Sequence, residues 1–90
     1  MTRVELHSAR STDDYTLLHR EMEKDGFSRT ITSTEPATYH LPPAEYYYSG
    51  NVTRAQVLAK AESAAQRTKH SYGVIVCEGP MTWNGLKRVN

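Results

Sequence analysis

Four histidines, His7, His19, His40 and His70, give this chain its clearest capacity for proton transfer. Imidazole changes charge nearest neutrality, so a well-placed pair can take a proton from one atom and return it to another. Arg20, Arg29 and Arg54 add planar guanidinium forks that match phosphate oxygens. Tyr46, Tyr47 and Tyr48 form an unbroken aromatic run, able to stack on the bases of a single strand, to close a core edge or to face a partner. Each group also has an ordinary role open to it: a histidine on a sheet face or beside a core, an arginine in solvent. His70 follows Lys69 at a helix end, where the helix dipole accounts for both. Asp13 and Asp14 fall in the first turn of a helix and point in different directions, a poor chelating geometry. Cys77 is the single cysteine, which excludes an internal disulfide framework and a cysteine-only zinc site. It reads as a small buried hydrophobe.

The elements that must position these groups follow from periodicity. Residues 3–9 alternate, with Val4 and Leu6 on one side and Arg3, Glu5 and His7 on the other, as in a half-buried strand. Ser11 or Thr12 can cap a helix over 12–25, whose apolar stripe is Tyr15, Leu18 and Met22, and Gly26 stops it. Residues 27–32 and 38–41 read as two strands around a turn at 33–36. Phe27, Arg29 and Ile31 share the helix side of the first, while Thr38 and His40 face outward on the second. Pro42-Pro43 ends that strand, because proline cannot donate to a ladder. A long loop, 42–52, carries the tyrosines. Thr53 with Gln56 forms a capping box for a helix over 54–69 with a small-residue stripe at Val57, Ala61, Ala64 and Ala65. Residues 72–77 form a last strand, apolar on both sides, and 78–90 form an irregular tail or a short added strand.

The order is βαββαβ in a single domain spanning 1–90. It predicts an α+β ferredoxin-like sandwich: a four-stranded antiparallel sheet, strand order 4-1-3-2, with both helices on one face. The first and third strands would then be neighbours, bringing His7 and His40 together on the open face. The doubly apolar last strand calls for a cover, either the Trp83 tail or a second subunit, and a homodimer is the expectation.

Eleven basic against ten acidic residues leave a net charge of +1, which argues against a strong sequence-independent hold on nucleic acid but not against a local contact. No apolar run approaches membrane-spanning length and none follows Met1, so a soluble cytoplasmic protein without a membrane partner is expected.

Several segments, VELH, DY..LH, GFSRTI, YHLPPAEY and TRAQVL..A..AA, resemble in order and spacing the GhoS-like antitoxins of type V toxin–antitoxin systems. The resemblance covers nearly the whole chain. It implies a ferredoxin-like fold related to small CRISPR-associated nucleases, and an endoribonuclease that cleaves the single-stranded message of a membrane-active toxin. Those nucleases hold a divalent metal on an aspartate at the end of the first strand, where this chain has His7-Ser8-Ala9. The expectation is therefore a reaction with no metal and no cofactor. Metal-free RNA cleavage needs a base for the 2′-hydroxyl, an acid for the 5′-oxygen and a cation for the phosphorane charge. His7, His40 and His19 are the candidates for the first two roles. Arg29, Arg20, Arg54 and Tyr46, Tyr47 and Tyr48 are candidates for holding RNA. A non-catalytic RNA- or protein-binding dimeric module on the same fold is the alternative.

Overall fold

The computed structural model describes residues 1–7, 12–33, 37–79 and 82–89. Its elements follow in the order β1 (Thr2–Leu6), α1 (Thr12–Lys24), β2 (Thr30–Thr32), β3 (Thr38–His40), β4 (Glu45–Tyr46), α2 (Arg54–Gln66) and β5 (Tyr72–Val76). The expected cap at Ser11, the strand end at Ser8-Ala9 and the turn residues 34–36 lie outside the described residues.

β1 alternates as its sequence requires, with Thr2, Val4 and Leu6 buried and Arg3 and Glu5 exposed. It is the central strand of an antiparallel sheet in the order β4-β1-β5. Thr2 stands opposite Tyr46 on one side and Val76 on the other. β2 and β3 form a separate two-stranded antiparallel sheet, with Thr30 opposite His40 and Ile31 opposite Tyr39. Among the described residues, one bridge, Ser28 to Tyr47, joins the edges of the two sheets through paired backbone hydrogen bonds of 2.8 Å.

The chain is thus α+β, with two helices and antiparallel sheets. The neighbour of β1, however, is β4, drawn from the expected loop, and not the strand at Thr38–His40. The proline pair does end β3. Glu45 N–H then donates to Pro42 O across a tight turn in which Ala44 has φ 74°, and the chain re-enters the sheet at once. That turn separates His40 from β1.

Leu18 and Met22 of α1 join Val57, Ala61, Ala64 and Ala65 of α2, with Val4, Leu6, Phe27 and Tyr46, in one buried cluster. Both helices therefore cover the same side of β1. The small residues of α2 let its axis lie close to the sheet. Its start is the expected capping box: Gln56 N–H donates to Thr53 Oγ1 at 3.1 Å, and Thr53 N–H donates to Gln56 Oε1 at 2.9 Å. Thr53→Ala is expected to lower unfolding stability by about 1 kcal/mol, read from urea denaturation.

The far ends of the helices are tied by ions. Arg67, just past α2, donates from Nε to Glu21 Oε1 at 2.6 Å and from Nη2 to Asp25 Oδ2 at 2.9 Å. Lys24 donates to the other oxygen of Glu21 at 3.0 Å. The hydrogen bonds from Lys24 and Arg67 hold the Glu21 carboxyl below the usual carboxylate range. A lowered acid pKa adds stability that is complete above the ordinary carboxylate value and is lost as pH falls through the folded value. Glu21→Gln is therefore expected to be less stable than the parent at neutral pH. The gap should close on acidification, in urea titrations taken between about pH 3 and pH 7.

Ile31 and Leu41 are buried outside the helix-facing cluster and line an apolar cleft of about 310 Å³ with Trp83 and Leu86. Phe27 and Ile31 do not share one core, because the backbone bends between them, where Ser28 Oγ takes the Thr30 N–H at 3.1 Å. The tail runs along the free edge of β3: His40 N–H donates to Lys87 O and Val89 N–H to Thr38 O, each at 2.8 Å. Trp83 meets Tyr39 edge-on at 5.8 Å between ring centroids. Among the described residues, the tail thus covers the hairpin and not β5, an edge strand with Ile75 63 % exposed. Cys77, expected in the core, is exposed just past β5. Among the described residues, no helix is long and apolar enough to cross a membrane.

Candidate active site

Tyr15 and His19 lie one turn apart on α1, on the side that meets the end of the sheet. The Tyr15 hydroxyl accepts the Leu6 N–H at 3.1 Å, which fixes the helix against β1. That places His19 over β4, where Nδ1 and the Tyr46 hydroxyl share a hydrogen bond of 2.5 Å. Tyr46 is 0 % exposed and is the largest fully buried side chain of the described residues. Its ring is held edge-on by Phe27, with 6.3 Å between centroids. Phe27 in turn packs on Tyr48 at 5.1 Å.

Arg29 adds a charge to this cluster. It sits in the bend between Ser28 and Thr30, close enough for its charge to act on both His19 and Tyr46. Burial pushes the His19 imidazole down to about 4, and the Arg29 charge pushes in the same direction. Burial drives the Tyr46 phenol well above its usual value, with Arg29 opposing and Glu23 and Tyr15 adding. At neutral pH the pair is therefore a neutral imidazole on an intact phenol. The phenol can accept from Nδ1–H, which leaves a free lone pair on Nε2, or donate to Nδ1, which makes Nε2 the donor. An unprotonated, half-buried imidazole within the field of a guanidinium has the chemistry to meet an anion and to take a proton from a group attached to it.

No protein-family model, curated protein or solved structure matches this chain.

Of the residues singled out from the sequence, His19 and Tyr46 come into contact, and the charge of Arg29 reaches both. His7 does not join His40. His7 lies past β1, half exposed, 3.9 Å from Glu5 Oε1, and its N–H bonds Ser71 O at 2.8 Å beside β5. His40 is exposed on β3, in the other sheet. Arg20 is exposed, 4.0 Å from Glu21 Oε2. Arg54 is exposed and pairs with Glu78 at 3.1 Å.

The three tyrosines have three fates. Tyr46 cannot stack on a base because its ring is wholly inside the core. Tyr48 is wedged between two glycines: a Cβ at Gly26 or Gly50 would come within 3.2 or 3.1 Å of its ring. Lys60 Nζ lies 5.8 Å from the centre of that ring. Only Tyr47 is half exposed without such a wedge. Tyr15 and Phe27 were readable as core residues, but nothing local marks them as supports for a histidine. His70, read as a helix-end charge, places its Nε2 3.2 Å from Asp14 Oδ1. Among the described residues, no three His, Cys, Asp or Glu side chains lie together as metal ligands.

Proposed function

We propose that this protein is an endoribonuclease of the GhoS-like antitoxin kind, which cleaves the single-stranded message of a toxin in the cytoplasm and works as a homodimer. The observation that carries the reading is the hydrogen bond between a neutral His19 and the buried Tyr46 hydroxyl, within reach of the Arg29 charge. The Ser28–Tyr47 bridge supports treating the two sheets as parts of one ferredoxin-like sheet whose third strand is broken into β3 and β4.

In this reading Arg29 holds the scissile phosphate. The phosphate charge offsets that of Arg29 and raises the imidazole pKa from its resting value toward the range useful for proton transfer. His19 takes the proton of the 2′-hydroxyl as O2′ bonds to phosphorus. The P–O5′ bond breaks, and the imidazolium returns its proton to O5′. The products are a 2′,3′-cyclic phosphate and a free 5′-hydroxyl. Arg29 meets the charge that builds on the phosphorane oxygens. Tyr46 is a positioning residue: it fixes the imidazole ring and its tautomer without touching RNA.

The test is incubation of purified protein with single-stranded RNA, with and without chelator. Cleavage is expected in both conditions, and His7→Ala and His40→Ala are expected to retain it. The exposed Ile75 on the open edge strand β5 favours a second reading, a non-catalytic dimeric RNA- or protein-binding module. Binding of RNA with no cleavage in either condition would move the account to that reading.

A further inference from the structure

The sheet β4-β1-β5 ends on β5, and among the described residues no strand pairs its outer edge. β5 meets β1 through alternate residues: Cys77 N–H donates to Met1 O at 2.9 Å, and His7 N–H donates to Ser71 O at 2.8 Å. In an antiparallel ladder the N–H and C=O of one residue point the same way, and the direction alternates along the strand. Those of Tyr72, Val74 and Val76 therefore point to the open edge. Such an edge is a template for another strand.

Two residues on the outer face of β5 do not suit a lone chain. Ile75 is 63 % exposed. Gly73 sits in mid-strand, where glycine costs stability. Nothing among the described residues requires it. Its backbone is outside the left-handed region, and a Cβ there would meet only His7 Nε2, at an ordinary 3.8 Å. Gly73 instead opens a hollow of about 250 Å³, lined also by Arg3, Glu5, Val74 and Ile75. A strand glycine often marks the close approach of another chain.

A knob and a hollow two residues apart on one edge are self-complementary about a two-fold axis. An antiparallel pair of β5 strands with Val74 on the axis sets each Ile75 beside the partner's Gly73. Val74 then lies opposite the partner's Val74, and Tyr72 opposite the partner's Val76. These are the residues whose main-chain groups face the edge, so the hydrogen bonds close in pairs. Their side chains lie on the helix-facing side, where they already pack against the core. Charge selects the same register. Arg3 stands opposite Ile75 and Glu5 opposite Gly73 in the β1–β5 pairing. Each row across the paired sheet then carries one arginine and one glutamate. A slip one way lines up Ile75 with Ile75 and Arg3 with Arg3. A slip the other way lines up Gly73 with Gly73 and Glu5 with Glu5.

We infer that β5 is the dimer edge: two copies of this chain pair antiparallel through residues 72–76 about a two-fold axis at Val74, with each Ile75 in the hollow over the partner's Gly73. Two three-stranded sheets become one of six strands. The inference names the surface of the homodimer in the proposed function and rests on that reading for its biological role. His19 lies over β4, at the opposite edge of the sheet, so the pairing leaves both sites open. A contact this short belongs with small, transient interfaces. Main-chain hydrogen bonds supply its affinity, and the knob and hollow supply its register.

The test is sedimentation equilibrium of the folded protein from about 10 µM to about 1 mM, the range of a weak interface. An isotope-filtered experiment on mixed labelled and unlabelled chains accompanies it. A monomer–dimer equilibrium is expected, with intermolecular Hα–Hα contacts between Gly73 and Ile75. Ile75→Lys changes an exposed side chain and should weaken dimerisation by about tenfold or more. Gly73→Val should weaken it as much, yet raise the urea midpoint of the dilute monomer, because a strand former replaces glycine. A glycine kept for the fold alone would give the opposite sign in urea. A parent that stays monomeric throughout would overturn the inference and the homodimer with it. A dimer that survives both substitutions, or contacts of Ile75 with Ile75, would overturn the inference and leave the homodimer to another surface. RNA cleavage measured on the same samples judges the His19 reading independently of the edge.

Discussion

Arg29→Gln is expected to lower RNA cleavage by about 10²- to 10³-fold, the usual cost of removing one donor aimed at developing charge. The same substitution should raise the His19 pKa, because a positive charge that opposes protonation has gone. The rise should stop short of the ordinary value, because burial is the larger cause and remains. These two effects separate a charge role from a structural one. A collapsed site would release the histidine to solvent and give it an ordinary pKa. A site that has lost only its guanidinium keeps a depressed one. Imidazole nitrogen shifts followed against pH, alongside single-turnover cleavage rates, read both. A glutamine variant with full activity would remove Arg29 from the chemistry.

Tyr46→Ala is expected to cost about 3–5 kcal/mol of unfolding stability, as for a large aromatic removed from a core. A domain of ordinary stability holds only about 5–15 kcal/mol in total, so much of this protein's margin would go. The reason is position: Tyr46 is 0 % exposed, touches Phe27 and His19, and stands opposite Thr2 in the central strand pairing. Tyr46→Phe keeps the ring and removes only the hydroxyl. Its expected cost is about 1 kcal/mol. It should nonetheless change the tautomer balance and pKa of His19, because Nδ1 loses its partner. Urea denaturation of both variants measures the first pair of values and imidazole resonances the second. A loss under about 1 kcal/mol for Tyr46→Ala would contradict the placement of this ring in the core.

The contrast between the tyrosines shows where sequence reasoning reaches its limit. Three identical neighbours offer no local signal to divide them. The division comes from β4, a two-residue strand that exists because the turn after Pro42-Pro43 returns the chain to β1. Alternation over so short a strand is invisible without its partner. By contrast, the α2 stripe at Val57, Ala61, Ala64 and Ala65 is buried as its spacing predicts, and the Thr53–Gln56 box is formed. Those signals lie within one element and need nothing distant.

Arg29 is partly legible: alternation with Phe27 places it on the helix side, and its charge does reach His19. Alternation does not carry on to Ile31, because the chain bends where Ser28 Oγ takes the Thr30 N–H. The pairing of His7 with His40 rested on adjacency of the first strand with residues 38–41, and it fell when β4 took that place. The Arg67 clamp on Glu21 joins residues 46 apart in sequence, and no spacing rule reports it. His19 was among the candidates, but its partner came from 27 residues away, through the fold alone.

The central claim is that His19 carries the proton in a metal-independent cleavage of RNA, and the ends of the cleaved strands report on it most directly. With chelator present, the parent protein should release fragments ending in a 2′,3′-cyclic phosphate, with 5′-hydroxyl partners. His19→Ala, folded by the same spectroscopic criteria, should yield them about 10²- to 10⁴-fold more slowly. Undiminished cleavage by His19→Ala, or fragments carrying 5′-phosphates that vanish on chelation, would contradict the account.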